Sequence, residues 1–217
     1  MTSAAQVDGP GATTPGPSDG SVRSTAPTVT RLLAAAAGAF SARGFHATTT
    51  RDIASRAGLS PAGVYVHFAS KEELLHALSH TGHLEALSVV TRAADRDGEA
   101  VDRLAAVMRS FSTWHAEHHE VASVVQYEFP HLTPAHREDV LDLRKQIDAV
   151  VRSVLEEGLR DGSMVVDDVR DTTLALMSLC IDVARWYSPP ISRSAAQIGD
   201  TYAALGLRLV SARPRGT

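Results

Sequence analysis

The sequence is poor in cysteine and in aromatic residues, and it has no long apolar run. Cys180 is the only cysteine among 217 residues, which excludes an intramolecular disulfide or a cysteine zinc site and leaves a small core residue as its expected role. Aromatic residues make up 5% of the chain, and the abundant alanine and leucine favour helices over strands. No stretch approaches the roughly 20 apolar residues of a membrane span, and the N-terminus has no basic start followed by an apolar segment. We therefore expect a soluble, cytoplasmic protein.

The sequence also lacks the motifs of common enzymes. It has no glycine-rich phosphate loop after a strand and no His-Glu-x-x-His pair. His115 and His119 lie four residues apart, a helical spacing that can chelate zinc or nickel. A third ligand could come from Glu128, His131 or His136, but nothing in the spacing fixes it. We predict no catalytic residue, no metal and no cofactor.

Composition divides the chain into three parts. Residues 1–26 are mainly Gly, Pro, Ser, Thr and Ala, and they cannot bury enough apolar surface to offset the entropy lost on ordering. We predict a disordered arm there, with a minor-groove contact through Arg23 as the alternative. Residues 27–75 form a first helical domain, and residues 76–217 form a second.

Apolar periodicity and breaking residues predict an all-α fold of about nine helices. The apolar positions 29, 32, 33, 36, 37 and 40 predict a first helix that ends near Gly44. Two short helices follow between residues 49 and 68. The later helices are predicted over residues 71–94, 99–118, 121–129, 134–160, 168–187 and 194–211. Ser194 with Gln197 supplies a capping box for the last helix.

Residues 44–75 have the pattern of a helix-turn-helix followed by a further helix. Thr49 or Thr50 can cap the first short helix, and Gly58 ends it because glycine adopts a positive φ without a Cβ clash. Ser60 begins the second short helix as N-cap, ahead of a proline whose missing N–H costs nothing there. This arrangement predicts binding to double-stranded DNA.

The second short helix has a face suited to the major groove. Val64 and Phe68, four apart, are expected to point inward. Ala62 and Gly63 add little bulk, so the backbone can come near base edges while polar side chains reach phosphate oxygens. The candidate DNA-contacting residues are Thr49, Thr50, Ser60, Pro61, Ala62, Gly63, Tyr65, His67 and Lys71. A helical interaction module that binds no DNA is the alternative.

The charge distribution agrees with a DNA-binding N-terminal region. The whole chain carries a formal net charge of −4. Residues 27–81 carry +2, residues 1–26 carry −1 and residues 82–217 carry −5. The basic charge therefore lies where DNA is expected to dock.

The order Thr-Thr-x-x-Ile-Ala-x-x-Ala-Gly-Leu-Ser-x-x-x-x-Tyr-x-His-Phe-x-x-Lys-Glu-x-Leu-Leu resembles the TetR family of bacterial repressors, over roughly residues 30 to 80. The resemblance implies a homodimer that reads a palindromic operator, and a second domain that binds a small effector and releases the DNA. It places phosphate contacts at Thr50, Ser60, His67 and Lys71, and base contacts at Ala62, Gly63 and Tyr65. Val66 departs from the pattern, because many members carry an aromatic or polar residue there.

The last two helices carry stripes that favour dimerisation. The last helix has apolar residues in a 4-3-4 spacing, with Gly206 beside them to allow close approach of another backbone. The family resemblance implies a four-helix bundle between two subunits here. The alternative is that both stripes face the protein's own core. The predicted interface residues are Leu174, Ile181, Ile198, Tyr202, Leu205 and Leu209.

Large residues spread over the second domain predict an elongated apolar effector cavity. The candidate lining residues are Met108, Phe111, Trp114, His115, Val125, Phe129, Leu143, Ile147, Met177 and Trp186. A plain packed core is the alternative for any one of them. Arg144, Arg152 and Arg185 could meet phosphate or carboxylate groups at the cavity mouth.

The second domain also resembles the KstR-like branch of the family. The resemblance rests on the stretch from Trp114 to His118, on Glu128, and on the stretch from Asp182 to Pro189. It implies an acyl-CoA thioester of lipid or sterol catabolism as effector, although Phe129-Pro130 departs from the pattern. The alternatives on the same fold are a metal-responsive regulator and a multidrug-type regulator, for which Glu128 and Asp182 would be the relevant charges.

Overall fold

The computed structural model describes residues 25–188 and 192–210, and these residues form an all-helical fold. The predicted arm lies outside the described residues except for its last two positions. Nine α-helices and one short 3-10 helix occur in the described ranges. They are α1 (Thr25–Ala47), α2 (Thr50–Arg56), α3 (Pro61–Tyr65), α4 (Lys71–Ala94), α5 (Ala100–Glu117), α6 (His119–Tyr127), η1 (Phe129–His131), α7 (Pro134–Arg160), α8 (Val169–Trp186) and α9 (Ala195–Leu209). None of the helices in these ranges is long and apolar enough to cross a membrane.

Local capping residues explain where most helices begin. At α2 the Thr49 hydroxyl accepts from the Asp52 N–H at 3.2 Å, and the Asp52 carboxylate accepts from the Thr49 N–H at 2.8 Å. Ser194 and Gln197 form the same reciprocal pair at α9, which confirms the predicted capping box. A Ser60 side chain likewise caps α3.

The boundaries of α1 and α6 differ from the sequence prediction. The helical backbone of α1 breaks at Gly44, where φ is +77°, and the chain continues in helical form to Ala47. The α6 helix begins at His119 and ends at Tyr127, two residues before the predicted positions at both ends. The α6 helix ends earlier than predicted because Phe129 and the proline after it form η1, a separate turn.

The α4 helix joins two apolar cores. Its first turns place Leu74 and Leu75 in an N-terminal core with Phe40 and Ile53. Its last turns place Val90 in a second core, built mainly from α5, α7 and α8. The predicted domain boundary after residue 75 therefore falls within one continuous helix.

The packing of α9 against α5 corrects part of the predicted dimer seam. Ile198 is 0% exposed and lies in the core of its own chain. A Cβ on Gly206 would come 2.9 Å from Cγ of Met108, and one on Gly199 would come 2.7 Å from the Arg109 carbonyl oxygen. These two glycines allow α9 to approach its own α5, because a larger residue would clash there. Ile198 and Gly206 are thus unavailable to a partner subunit.

Candidate DNA-binding surface and effector cavity

The α3 helix stands at the surface with a buried and an exposed side. The Ser60 hydroxyl accepts from the Gly63 N–H at 3.2 Å, which fixes the first turn. Val64 and Phe68 are buried against the N-terminal core, as predicted. Tyr65 is 53% exposed and Val66 is 78% exposed. The exposed side of α3 is therefore free to meet another molecule.

The start of α3 combines small side chains with open space. Pro61 and Ala62 are exposed. A Cβ on Gly63 would meet only the Ser60 Oγ at 3.5 Å and the Leu59 Cβ at 3.7 Å, which are ordinary contacts. The fold therefore tolerates a side chain at Gly63. Bulk at this position would obstruct a bound partner rather than the protein itself.

Polar groups of α2 and α3 are connected around this face. The Tyr65 hydroxyl lies 3.1 Å from the Thr50 Oγ1, which links the two helices of the motif. Thr49 is exposed, and its hydroxyl is shared with the cap of α2. His67 is partly exposed just beyond α3. The structure brings these predicted contact residues to one region around the glycine turn at Gly58, where φ is +67°.

Lys71 has a structural role that the sequence did not reveal. Its Nζ donates to the carbonyl oxygens of Phe45 at 2.6 Å and Thr48 at 2.8 Å. The same ammonium lies 4.2 Å from the centroid of the Phe45 ring. Two of its three protons therefore hold the end of α1 to the start of α4, and one is left for a phosphate.

A cavity of about 270 Å³ lies inside the second domain, between α4, α5, α6, α7 and α8. Its walls are mostly apolar, with three polar side chains among the buried or partly buried positions. The lining residues are Gly82, His83, Ala86, Phe111, Trp114, His115, Ala122, Val125, Gln126, Arg144, Ile147, Leu174, Met177, Ser178 and Ile181. Its size and lining suit the apolar part of a small organic molecule.

Six of the ten predicted lining residues reach this cavity. They are Phe111, Trp114, His115, Val125, Ile147 and Met177. The other four lie elsewhere. Met108 packs beside Cys180 and Gly206, Leu143 is buried on α7, Phe129 packs on the N-terminal core, and Trp186 lies beside Tyr187. Each is a large residue on an amphipathic helix or turn. Sequence periodicity does not determine whether such a residue faces the cavity or a packed core.

His83 is a lining residue that the sequence analysis missed. Its Nδ1–H donates to the Ser79 carbonyl oxygen at 2.7 Å, and its Nε2 accepts from the Arg144 Nε at 3.1 Å. Burial lowers the pKa of His83 to about 4, so the imidazole is neutral near pH 7. The buried positions of α4 recur at helical spacing through Leu75, Ser79, His83 and Ala86. This spacing is the sequence feature that could have indicated a buried position for His83.

His115 supplies a second neutral imidazole to the cavity. Its Nδ1–H donates to the Phe111 carbonyl oxygen at 2.9 Å, and the Phe111 and Trp114 rings meet it edge-on. Burial lowers the pKa of His115 to about 4 as well. His115 lies on α5 in the apolar wall of the cavity. His119, the other histidine of the possible metal-chelating pair, contacts the Ala116 carbonyl oxygen through its Nδ1. Across the described ranges, no three His, Cys, Asp or Glu side chains are grouped so as to hold a metal ion.

The cavity adjoins a more polar hollow of about 340 Å³ between α6 and α8. Gln126, Ser178 and Ile181 line both spaces, so they mark the passage between them. Asp182 and Arg185 line the outer hollow and form a salt bridge of 2.6 Å. An elongated ligand could therefore place an apolar end inside and a polar end in the hollow.

The η1 turn connects the second domain to the end of α1. The His131 ring stacks on the Phe45 ring at a centroid distance of 5.1 Å. Phe129 and Leu132 pack against the N-terminal core. Lys71 also donates to the Phe45 carbonyl oxygen, so η1, the end of α1 and the beginning of α4 are joined by direct contacts.

Large apolar side chains remain exposed on α8 and α9. Leu174 is 64% exposed, Leu205 is 37% exposed and Leu209 is also exposed. Ile181 and Tyr202 are only partly buried. Exposed apolar side chains on two neighbouring helices are typical of a protein interface.

Two family models match this chain. The model described as "Bacterial regulatory proteins, tetR family" matches residues 32–78, and the model described as "Tetracyclin repressor-like, C-terminal domain" matches residues 97–210. The chain belongs to the TetR family. It is accordingly a helix-turn-helix transcriptional regulator and not an enzyme, which confirms the predicted fold and class.

Several relatives cover most of this TetR-family chain. The HTH-type transcriptional repressor KstR2 of Mycobacterium tuberculosis is 35% identical over 188 residues, which span 81% of this chain and 89% of KstR2. The KstR2 of Rhodococcus jostii is 34% identical over 82% of this chain and 88% of its own length.

Solved structures of TetR-family proteins share the fold. A bacterial regulatory protein in the tetR family from Rhodococcus RHA1 has a TM-score of 0.82 and 38% identity, and the match covers 88% of this chain and all of the other. The ketosteroid transcriptional regulator KstR2 of M. tuberculosis has a TM-score of 0.76 and 29% identity over 83% of this chain and 93% of its own.

Proposed function

We propose that this regulator is a cytoplasmic homodimer that represses transcription by binding a palindromic operator through α3, and that an acyl-CoA thioester releases it. One observation carries the proposal. A single chain presents the small-residue face of α3 and an internal apolar cavity, and η1 lies between them. This arrangement supports the proposal that a ligand in the cavity affects DNA binding by α3.

The effector class is inferred from the shape of the two spaces and from relatives. An acyl chain would fill the apolar cavity, and the polar coenzyme part would extend past Gln126 and Ser178 into the outer hollow. A solved relative, AibR, was crystallised with isovaleryl coenzyme A and operator DNA, and its fold matches with a TM-score of 0.75 at 22% identity. The similarity to KstR2 transcriptional repressors also favours a repressing role.

The dimer is inferred from the exposed side chains of α8 and α9. With Ile198 in the core, the proposed interface consists of Leu174, Ile181, Tyr202, Leu205 and Leu209. A dimer built on this face reads a palindrome only if its two α3 helices meet successive major-groove half-sites, which are about 34 Å apart.

A binding experiment with operator and effector tests the proposal. The full chain is mixed with duplex fragments from around its own gene, and complexes are detected by gel shift and footprinting. We expect a two-fold symmetric footprint and its loss on adding an acyl-CoA. A protein that binds no fragment would contradict the DNA-binding role, and release by planar cationic drugs alone would assign the cavity to multidrug sensing.

A further inference from the structure

Arg144 places a cationic side chain in the wall of the apolar cavity. Its Nε donates to the His83 Nε2 at 3.1 Å, and its Nη2 donates to the Val125 carbonyl oxygen at 3.3 Å. Its guanidinium carbon lies 4.3 Å from the centroid of the Phe129 ring. These contacts come from α4, α6 and η1, and every one of them is made to an electrically neutral group.

The charge of Arg144 has no counterion within the described residues. Arg103, Arg152 and Arg185 each pair with a carboxylate, whereas no carboxylate lies within salt-bridge distance of Arg144. The lining of the cavity contains no Asp or Glu. The facing imidazoles of His83 and His115 are neutral near pH 7 because burial lowers their pKa values. Arg144 is itself partly buried, and this burial lowers its pKa.

A buried cation without a partner is unfavourable unless another molecule supplies the opposite charge. A carboxylate matches the planar guanidinium and forms charge-assisted hydrogen bonds, which are about twice as strong as neutral ones. Phe111, Trp114 and Ile147 would surround the apolar body attached to that carboxylate. Such contacts would select a ligand both by its negative charge and by the fit of its apolar body.

We infer that the effector carries a carboxylate on an apolar body, and that Arg144 binds this carboxylate inside the cavity. This inference rests on the proposed function, since it specifies the chemistry of the effector. The carboxylate has two chemical sources. It is either the free acid of an acyl compound or the far end of a diacid whose other end is a coenzyme A thioester reaching the outer hollow.

Calorimetry with four probes tests the inference on the full chain without DNA. The probes are octanoate, 1-octanol, octanoyl-CoA and octanedioyl-CoA. We expect at least a tenfold preference for octanoate over octanol if the source is a free acid, or for octanedioyl-CoA over octanoyl-CoA if the source is a thioester. Equal binding within both pairs, including no binding of any probe, would overturn the inference.

Substitutions at Arg144 make the test specific. Arg144→Gln should remove the preference for the carboxylate, and Arg144→Lys should keep part of it because the charge remains. Arg137→Gln is the matched control, since Arg137 contacts the same Phe129 ring at 5.8 Å and donates to two carbonyl oxygens near η1 without lining the cavity. A preference that survives Arg144→Gln in a folded protein would contradict the assignment.

The calorimetric result is independent of operator binding. A protein that binds octanoate through Arg144 but binds no DNA would refute the proposed function and leave this inference intact. A protein that binds operator and responds to an acyl-CoA, without any preference for a carboxylate, would do the opposite.

Discussion

The N-terminal domain and the second domain differ in how far their polar and charged groups find partners within the same chain. Around α3, polar groups have local partners, as with Ser60 and Gly63 or Tyr65 and Thr50. In the second domain, the Arg144 guanidinium contacts only neutral groups and Leu174 is largely exposed. The polar groups around α3 are therefore held in place by hydrogen bonds within their own domain. The second region has unmatched charge and apolar area that a ligand and a second subunit would cover.

The largest expected effect concerns the exposed face of the second domain. Leu205→Glu would bury an unpaired charge in both halves of a symmetric interface, at a cost of about 3 kcal/mol or more. We expect monomers in sedimentation and a parallel loss of operator affinity. Leu159→Glu is the matched control, because Leu159 on α7 is also 37% exposed. A Leu205→Glu protein that stays dimeric would place the interface elsewhere.

The next largest effect is expected from added bulk on the DNA-facing side of α3. Gly63→Leu adds bulk where the fold has room, so the thermal midpoint should change little while operator affinity falls at least a hundredfold, or about 2.7 kcal/mol. Ala149→Leu adds similar bulk on an exposed part of α7 and should bind operator like the wild type. Wild-type operator binding by the Gly63→Leu protein would show that α3 does not enter the groove.

Lys71 lies at the junction of α1 and α4. Lys71→Met removes two charge-assisted hydrogen bonds to carbonyl oxygens, so the free energy of unfolding should fall by about 2 kcal/mol. Urea titration measures this loss, and Lys145→Met is the control because Lys145 is exposed and pairs only with Asp142. If Lys71→Met weakened operator binding without lowering stability, a phosphate contact would be its main role.

The smallest effect, taken per pH unit, is a pH dependence located in the cavity. The pKa values of His83 and His115 are about 4 in the folded protein and near 6.5 when unfolded. The unfolded state therefore binds more protons between pH 4 and 6.5, so their contribution to stability is complete above about pH 6.5 and is lost as the pH falls toward 4. Replacing His115 by Gln should reduce the slope of unfolding free energy against pH by about 1.4 kcal/mol per unit in this window. An unchanged slope would contradict the neutral, buried state of His115.

The two regions also differ in how much of their structure could be predicted from the sequence. Ser60, Gly58 and the Ser194–Gln197 pair act on neighbours a few residues away, so their roles could be predicted from local chemistry. The cavity and the dimer face depend on which way an apolar side chain turns. A 4-3-4 spacing describes an apolar stripe equally well whether it faces α5 or a partner, and Ile198 faces α5.

The same limit applies to polar groups of the second domain. The sequence suggested three arginines near the cavity mouth, and only tertiary packing separates Arg144 from Arg152 and Arg185, which form salt bridges on the surface. Lys71 has a role that its local sequence does not indicate. Its position in the motif suggested phosphate binding, but its two nearest acceptors are carbonyl oxygens more than 20 residues away in the chain.

The most direct test of the account is the thermodynamic coupling between the cavity and α3. Operator affinity is measured with and without the acyl-CoA that binds most tightly, and the affinity for that acyl-CoA is measured with and without operator. Linkage requires the two ratios to be equal, and a tenfold ratio corresponds to about 1.4 kcal/mol of coupling. We predict that each ligand weakens the other by the same factor of at least ten. An acyl-CoA that binds the cavity and leaves operator affinity unchanged would contradict the account.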